Sequence, residues 1–111
     1  MPEGPEIRRE ADQIARILEH NTISEVQITM HDLQPYASRI RGALVQQVYP
    51  RGKAMLIALE HDLTIYSHNQ LYGRWVTRKN GRLPATNRQL RLALYTRNGV
   101  AALYMQATWQ F

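Results

Sequence analysis

The stretch Gln89-Leu-Arg-Leu-Ala-Leu-Tyr-Thr96 decides the fold class of this 111-residue chain. Its leucines, at positions 90, 92 and 94, alternate with other side chains, which predicts a half-buried strand with all three leucines on one face. Asn98-Gly99 follows, before a second apolar run over residues 100–105. Because Asn-Gly between two such runs is the strongest short-range hairpin signal, we predict two adjacent antiparallel strands here.

Five earlier segments have the composition and length of short strands, namely residues 23–30, 43–49, 54–60, 63–67 and 74–78. Pro50 is expected to end the second of them, since proline interrupts strand pairing. The short link Glu60-His61-Asp62 predicts a hairpin between the third and the fourth. Residues 33–40 contain Pro35 and predict a short helical turn or loop.

Upstream of the strands, one amphipathic helix is predicted to begin at about Pro5. An apolar stripe of helical spacing runs along it, formed by Ile7, Ala11, Ile14 and Leu18. The helix should end near residues 20–21, with Asn21 in a left-handed conformation. One helix followed by about seven short strands predicts an α+β domain that is mainly β. We expect a β-sandwich of about seven to eight strands with the N-terminal helix at its edge.

The composition indicates one soluble domain, with 44% hydrophobic and 21% charged residues. No apolar run approaches the length of a membrane span and no secretory signal opens the chain, so an intracellular, cytoplasmic location is expected. The sequence has no cysteine. Disulfides and thiolate metal sites are therefore excluded within this chain, and we expect no metal-binding residues.

The charge is divided unevenly along the chain, whose formal net charge is +5. All nine Asp and Glu residues lie at or before Asp62, whereas every charged residue after Asp62 is an arginine or a lysine. Most of the cations are arginines, whose planar guanidinium binds phosphate through two hydrogen bonds and stacks on bases. General solubility would explain some of this charge, but it would spread both signs over the surface. The asymmetry therefore favours a nucleic-acid partner.

The first residues, Met1-Pro2-Glu3-Gly4-Pro5-Glu6, concentrate reactive groups at a chain end. Removal of Met1, which the small second residue favours, would leave Pro2 with a free secondary amine. An α-amino group titrates near ~8, so part of it is a neutral nucleophile at neutral pH, able to form an iminium with a carbonyl-type carbon. Glu3 and Glu6 are three residues apart and can move protons on the same side. The alternative is an ordinary acidic helix cap.

Two further segments have the residues of a phosphate- or base-binding site. Arg51-Gly52-Lys53 joins two predicted strands, and its glycine lets the backbone approach a phosphate that both cations reach; the alternative is a charged β-turn. His68-Asn69-Gln70-Leu71-Tyr72-Gly73 carries apolar residues into a predicted loop. A projecting Gln-Leu-Tyr can wedge into a duplex in place of a displaced base, unless Leu71 and Tyr72 continue a strand into the core.

Together these motifs resemble the formamidopyrimidine-DNA glycosylase and endonuclease VIII family, in order and in separation. The opening Pro2-Glu3-Gly4-Pro5-Glu6 and the Gln70-Leu71-Tyr72 loop have the endonuclease VIII form. The resemblance covers residues 1–111 and implies the family's N-terminal catalytic domain, a β-sandwich flanked by helices. The family's helix–two-turn–helix and zinc-ribbon domains are not in this sequence, so no cofactor is expected in this chain. Unprotected aromatic residues at its end also indicate a domain cut from a longer protein.

The resemblance implies a bacterial base-excision repair enzyme, a bifunctional DNA glycosylase and abasic-site lyase that removes oxidised pyrimidines from double-stranded DNA. By the same resemblance, Pro2 attacks C1′ of the flipped nucleotide to form a Schiff base, and β- and δ-elimination cut the strand. Glu3 serves as the acid, Glu6 helps to hold the site and Lys53 binds the phosphate beside the lesion. The implied DNA-binding residues are Arg51, His68, Asn69, Gln70, Leu71 and Tyr72.

We expect a monomer that acts without a membrane or a small-molecule cofactor, and a fragment that is inactive or weak by itself. A retained Met1 would make the nitrogen of Pro2 an amide and block the chemistry. Two alternatives use the same basic residues. One is a non-catalytic DNA-binding module that inserts Gln70-Leu71-Tyr72, and the other is a small RNA-binding β-protein that prefers single strands.

Overall fold

The computed structural model describes residues 5–68, 74–86 and 88–105. Within these ranges the chain forms two α-helices, one 3₁₀ helix and seven strands. The helices are α1 (Pro5–Leu18), the 3₁₀ helix (His31–Tyr36) and α2 (Ala37–Ile40). The strands are β1 (Glu25–Ile28), β2 (Val45–Arg51), β3 (Ala54–Leu59), β4 (Leu63–His68), β5 (Arg74–Arg78), β6 (Leu90–Thr96) and β7 (Gly99–Tyr104).

The strands form two antiparallel sheets, one in the order β1-β6-β7-β5 and the other in the order β2-β3-β4. One large apolar cluster joins the sheets and contains side chains from α1, α2 and strands of both sheets. The predicted β-sandwich with an N-terminal helix is therefore confirmed. Every strand predicted from the sequence is present, with its ends shifted by at most a few residues.

The hairpin predicted at Asn98-Gly99 joins β6 and β7, which pair from Thr96↔Gly99 outward. The expectation that its three leucines share a face is wrong for one of them. The register shifts between Leu90 and Leu92, so one extra residue is inserted in β6. Leu92 consequently faces the core between the sheets, whereas Leu90 packs against a second apolar cluster on the outer side of the four-stranded sheet.

Helix α1 buries the predicted stripe and closes the sandwich. Ala11, Ile14 and Leu18 are almost fully buried, as is Ile17, which the stripe did not include. The last turn leaves backbone carbonyl groups without partners inside the helix. Here the hydroxyl of Thr96 donates to the carbonyl oxygen of Ile17 at 2.6 Å. The end of the helix is thereby attached to the four-stranded sheet.

Two local predictions are wrong for identifiable reasons. Pro50 does not end the second strand but lies inside β2, opposite Met55. This is tolerated because β2 is an edge strand, where a missing backbone N–H breaks no pairing on the outer side. After α1, the left-handed residue is His20 (φ 65°) rather than Asn21, and the backbone N–H of His20 donates to the carbonyl of Val45.

Gly99 is expected to be the glycine least tolerant of a side chain. Its φ is 139°, and an added Cβ would collide with the carbonyl oxygen of Arg78 and lie 2.9 Å from Cα of Lys79. We expect Gly99→Ala to lower the free energy of unfolding by about 2–4 kcal/mol. Gly81, with φ 73° and open space around the Cβ position, is the matched control. Gly81→Ala should cost only about 1–2 kcal/mol. Urea unfolding of both variants measures the difference, and equal losses would contradict this account.

Candidate functional site

The turn between β2 and β3 and the end of β4 lie side by side at one end of the three-stranded sheet. Arg51 pairs with Ala54, and Ala54 pairs with His68. Lys53 lies in the turn and is exposed, as is Arg51, whereas His68 is half-buried. Gly52 has φ 60°, the left-handed conformation that favours glycine. Three predicted site residues, Arg51, Lys53 and His68, are thus brought together.

A buried hydrogen bond joins the two sheets beside this turn. The indole N–H of Trp75 donates to the hydroxyl oxygen of Ser67 at 2.9 Å, and the two residues are only 5% and 1% exposed. Ser67 precedes His68 at the end of β4, and Trp75 follows Arg74 at the start of β5. The bond therefore connects the two strands from which the predicted wedge segment departs and to which it returns.

Glu10 extends this connection to helix α1. The backbone N–H of Trp75 donates to the Glu10 carboxylate, which also lies near the guanidinium of Arg74. Burial raises the pKa of Glu10 above its ordinary value of 4.5, although the hydrogen bond and Arg74 act in the opposite direction. The carboxylate thus lies in a partly desolvated environment at the junction of α1 and β5.

The sequence analysis did not identify Glu10 as a site residue. A signal was present, because Glu3, Glu6 and Glu10 are spaced by three and four residues, a spacing typical of one helix face. Glu6 lies in the first turn of α1 and is exposed. Glu10 lies one turn further on, where the helix meets β5, so position along the helix separates the exposed carboxylate from the partly buried one.

These contacts join α1 and both sheets at one end of the sandwich. Strand pairing connects Arg51 through Ala54 to the end of β4. Hydrogen bonds of Trp75 then connect the end of β4 to Glu10. The remaining predicted site residues lie outside the described residues, namely Pro2, Glu3, Asn69, Gln70, Leu71 and Tyr72. Their predicted roles stay predictions.

The described residues here are of the types that can bind phosphate. Two exposed cations in and beside a tight turn, with a neighbouring imidazole, can receive a phosphate without displacing buried groups. In the described ranges, no group of three or more His, Asp or Glu residues is arranged to hold a metal ion. None of the helices in those ranges combines the length and the apolar character that crossing a bilayer requires.

Comparison with known proteins gives one consistent family. The sequence model of the formamidopyrimidine-DNA glycosylase N-terminal domain matches residues 1–107. Endonuclease 8 of Salmonella typhi and endonuclease 8 of Pectobacterium atrosepticum are each 43% identical to this chain over 104 residues. Those residues make up 94% of this chain and 40% of each relative. The chain thus spans less than half the length of these relatives.

Solved structures show the same fold at lower sequence identity. MutM in complex with DNA containing carbocyclic 8-oxo-G superposes with a TM-score of 0.74 at 16% identity, covering 96% of this chain and 40% of that one. The MutM (FPG) protein from Thermus thermophilus superposes with a TM-score of 0.66 at 23% identity, covering 93% of this chain and 36% of that one. These similarities extend over nearly the whole sandwich and establish its architecture.

The raised pKa of Glu10 predicts a pH dependence of stability. The folded chain holds this proton more tightly than the unfolded chain, so the free energy of unfolding should fall as pH rises above about 4.5 through the raised pKa. Glu10→Gln keeps an oxygen acceptor for Trp75 and carries no charge. We expect its stability to exceed that of the parent chain by more at about pH 8 than at about pH 4.

Urea midpoints of both chains over this pH range test the expectation. Glu6→Gln removes an exposed carboxylate from the same helix and reports the effect of charge removal alone. A difference between Glu10→Gln and the parent chain that grows on acidification would contradict the assigned direction.

Removing the hydroxyl of Ser67 should destabilise the junction between β4 and β5. Ser67→Ala leaves the buried indole N–H of Trp75 without its acceptor, which should cost about 1–3 kcal/mol. Ser24→Ala is the matched control, because the hydroxyl of Ser24 is exposed and donates to the carbonyl of Tyr95 at 3.2 Å. It should cost less than about 0.5 kcal/mol. Thermal unfolding compares the two variants, and equal shifts would show that the Trp75 bond adds nothing.

Proposed function

This chain belongs to the formamidopyrimidine-DNA glycosylase family, whose N-terminal domain it matches over residues 1–107, and from that membership we propose its function. It is the catalytic N-terminal domain of a base-excision repair DNA glycosylase and abasic-site lyase. The substrate is double-stranded DNA that contains an oxidised pyrimidine. The identity of 43% with two endonuclease 8 proteins supports that branch of the family over the formamidopyrimidine branch.

The proposed reaction uses the amine of Pro2 after removal of Met1. Its nitrogen attacks C1′ of the flipped nucleotide, the bond from C1′ to the damaged base breaks, and the base leaves with the electron pair and takes up a proton. Glu3 donates a proton to the sugar ring oxygen as the ring opens, giving the iminium. Loss of a proton from C2′ then expels the 3′ phosphate, and loss of a proton from C4′ in a second elimination expels the 5′ phosphate.

The other predicted site residues have supporting roles in this proposal. Lys53 binds the phosphate beside the lesion as a point charge, while Arg51 binds a neighbouring phosphate through its planar guanidinium. His68 adds a further hydrogen-bonding group next to them. Gln70, Leu71 and Tyr72 fill the space left by the extruded nucleotide, and Glu6 helps to hold the site.

One observation carries the proposal beyond family membership. Exposed Arg51 and Lys53 are joined by strand pairing and by the bond between Ser67 and Trp75 to the helix that follows Pro2. This arrangement supports the proposal that phosphate binding and the amine chemistry share one end of the sandwich. All cations after Asp62 lack acidic neighbours in sequence, which favours a polyanionic substrate.

Borohydride reduction tests the covalent step. We expect the chain without Met1 to give a low but detectable yield of covalent adduct with a duplex that contains an abasic site, because reduction fixes the iminium. The same chain with Met1 retained should give none, since its Pro2 nitrogen is an amide. Adduct formation that is independent of Met1 would contradict the role of Pro2, and binding without any adduct would favour the non-catalytic DNA-binding module.

The two lysines of the chain separate phosphate binding from general charge. Lys53→Gln should lower the adduct yield about tenfold, because it removes the cation in the β2–β3 turn. Lys79→Gln is the control: it removes the same charge beside Gly99, at the opposite end of the four-stranded sheet. An equal loss in both variants would show that net charge alone matters. The yield of trapped adduct, measured at fixed salt, decides between these outcomes.

A further inference from the structure

The outward side of the three-stranded sheet carries a row of large side chains. Tyr49 on β2 pairs with Leu56 on β3, which pairs with Tyr66 on β4. Their sequence neighbours Val48, Ile57 and Ile65 pack on the core, so alternation directs the row away from it. Tyr66 is 54% exposed, whereas Leu56 is only 9% exposed. We call this row, with Arg51, the outer tyrosine face.

Arg51 connects this face to the candidate phosphate site. Its guanidinium carbon lies 5.7 Å from the centre of the Tyr49 ring, the distance of a cation–π contact. Arg51 is two residues beyond Tyr49, so both side chains leave the same side of β2. The contact holds the guanidinium against the tyrosine, between the Lys53 turn and the middle of the sheet.

The charge on this side fits a polyanion. Strand pairing places on it only neutral, aromatic or basic residues: Gln47, Tyr49, Arg51, Ala54, Leu56, Ala58, Thr64, Tyr66 and His68. The acidic residues Glu60 and Asp62 lie in the hairpin at the far end of the sheet. Arg51 is exposed at the edge nearest the Lys53 turn. A protein partner that bound only the aromatic row would leave this cation without a contact.

We propose that the outer tyrosine face binds single-stranded DNA that continues from the Lys53 turn. Unpaired bases stack on Tyr66 and on the Tyr49–Arg51 pair, while Arg51 also binds a phosphate. Single-stranded DNA is the ligand because paired bases keep their ring faces inside the duplex, whereas aromatic rings beside cations bind unpaired bases of any sequence. The choice of DNA rests on the proposed function, but the face itself does not need Pro2 or a damaged base.

Fluorescence anisotropy with a labelled oligothymidylate of about 20 nucleotides tests the proposal. Tyr66→Leu should weaken binding about tenfold, and Tyr49→Leu should do the same because it also releases Arg51. Tyr66→Phe keeps the ring and should bind as the parent chain does. Tyr36→Leu is the matched control, since Tyr36 is 41% exposed and has Arg39 at 5.9 Å from its ring but lies on the 3₁₀ helix. It should leave the affinity unchanged.

Equal affinities for Tyr66→Leu and Tyr36→Leu would overturn the proposal, as would tighter binding of an oligouridylate than of the oligothymidylate. Thermal unfolding of each variant shows whether it is folded, and Tyr49→Leu keeps the test decisive if Tyr66→Leu is not. Adduct formation is measured on the same variants with abasic-site duplex. Loss of oligothymidylate binding in Tyr66→Leu with adduct formation retained supports the face. Absence of adduct in every chain, with the binding differences present, would count against the proposed enzyme activity and not against the face.

Discussion

The structure depends on how helix α1 is held across the sandwich. Its apolar stripe supplies most of the free energy of packing against the sheets. Hydrophobic burial is not directional, however, and would allow the helix to slide or rotate. Polar contacts near both ends of the helix fix its position and orientation. Thr96 and the Glu19 carboxylate, which accepts from the backbone N–H of Val48 at 2.9 Å, hold the C-terminal end, and Glu10 holds the N-terminal half against Trp75. Helix α1 therefore has a fixed position on the sandwich.

The two ends of the sandwich differ in how their charges are arranged. Two charged-group contacts between described residues, the ion pair Arg41–Glu25 at 3.2 Å and the contact of the His61 imidazole with the Glu60 carboxylate at 3.7 Å, lie at the end away from the Lys53 turn. Both are exposed pairs that contribute little to stability. At the other end, Arg51 contacts the ring of Tyr49 and Lys53 extends into solvent. Among the described residues, neither cation forms an ion pair with a carboxylate, so their charge remains available to attract phosphate.

The architecture was predictable because it follows from local patterns. Alternating leucines, the Asn98-Gly99 turn and the stripe on α1 each predicted an element that is present. The errors occurred where tertiary context decides: an inserted residue in β6 moves Leu90 to the other face, and the edge position of β2 accommodates Pro50. In the site, residue types identified Arg51, Lys53 and His68. The hydrogen bond between Trp75 and Ser67 could not be predicted from periodicity. Periodicity describes the faces of one strand, whereas this bond joins strands of different sheets.

Glu10 illustrates why a partly buried carboxylate suits this junction better than a neutral side chain of the same shape. Burial raises its pKa, so desolvation opposes the charged form of the carboxylate. A glutamine would offer one acceptor and two donors and could turn its amide either way. A carboxylate at neutral pH can only accept, so it has one way to meet the N–H of Trp75 and the guanidinium of Arg74. The contacts with Trp75 and Arg74 thus orient α1 relative to β5.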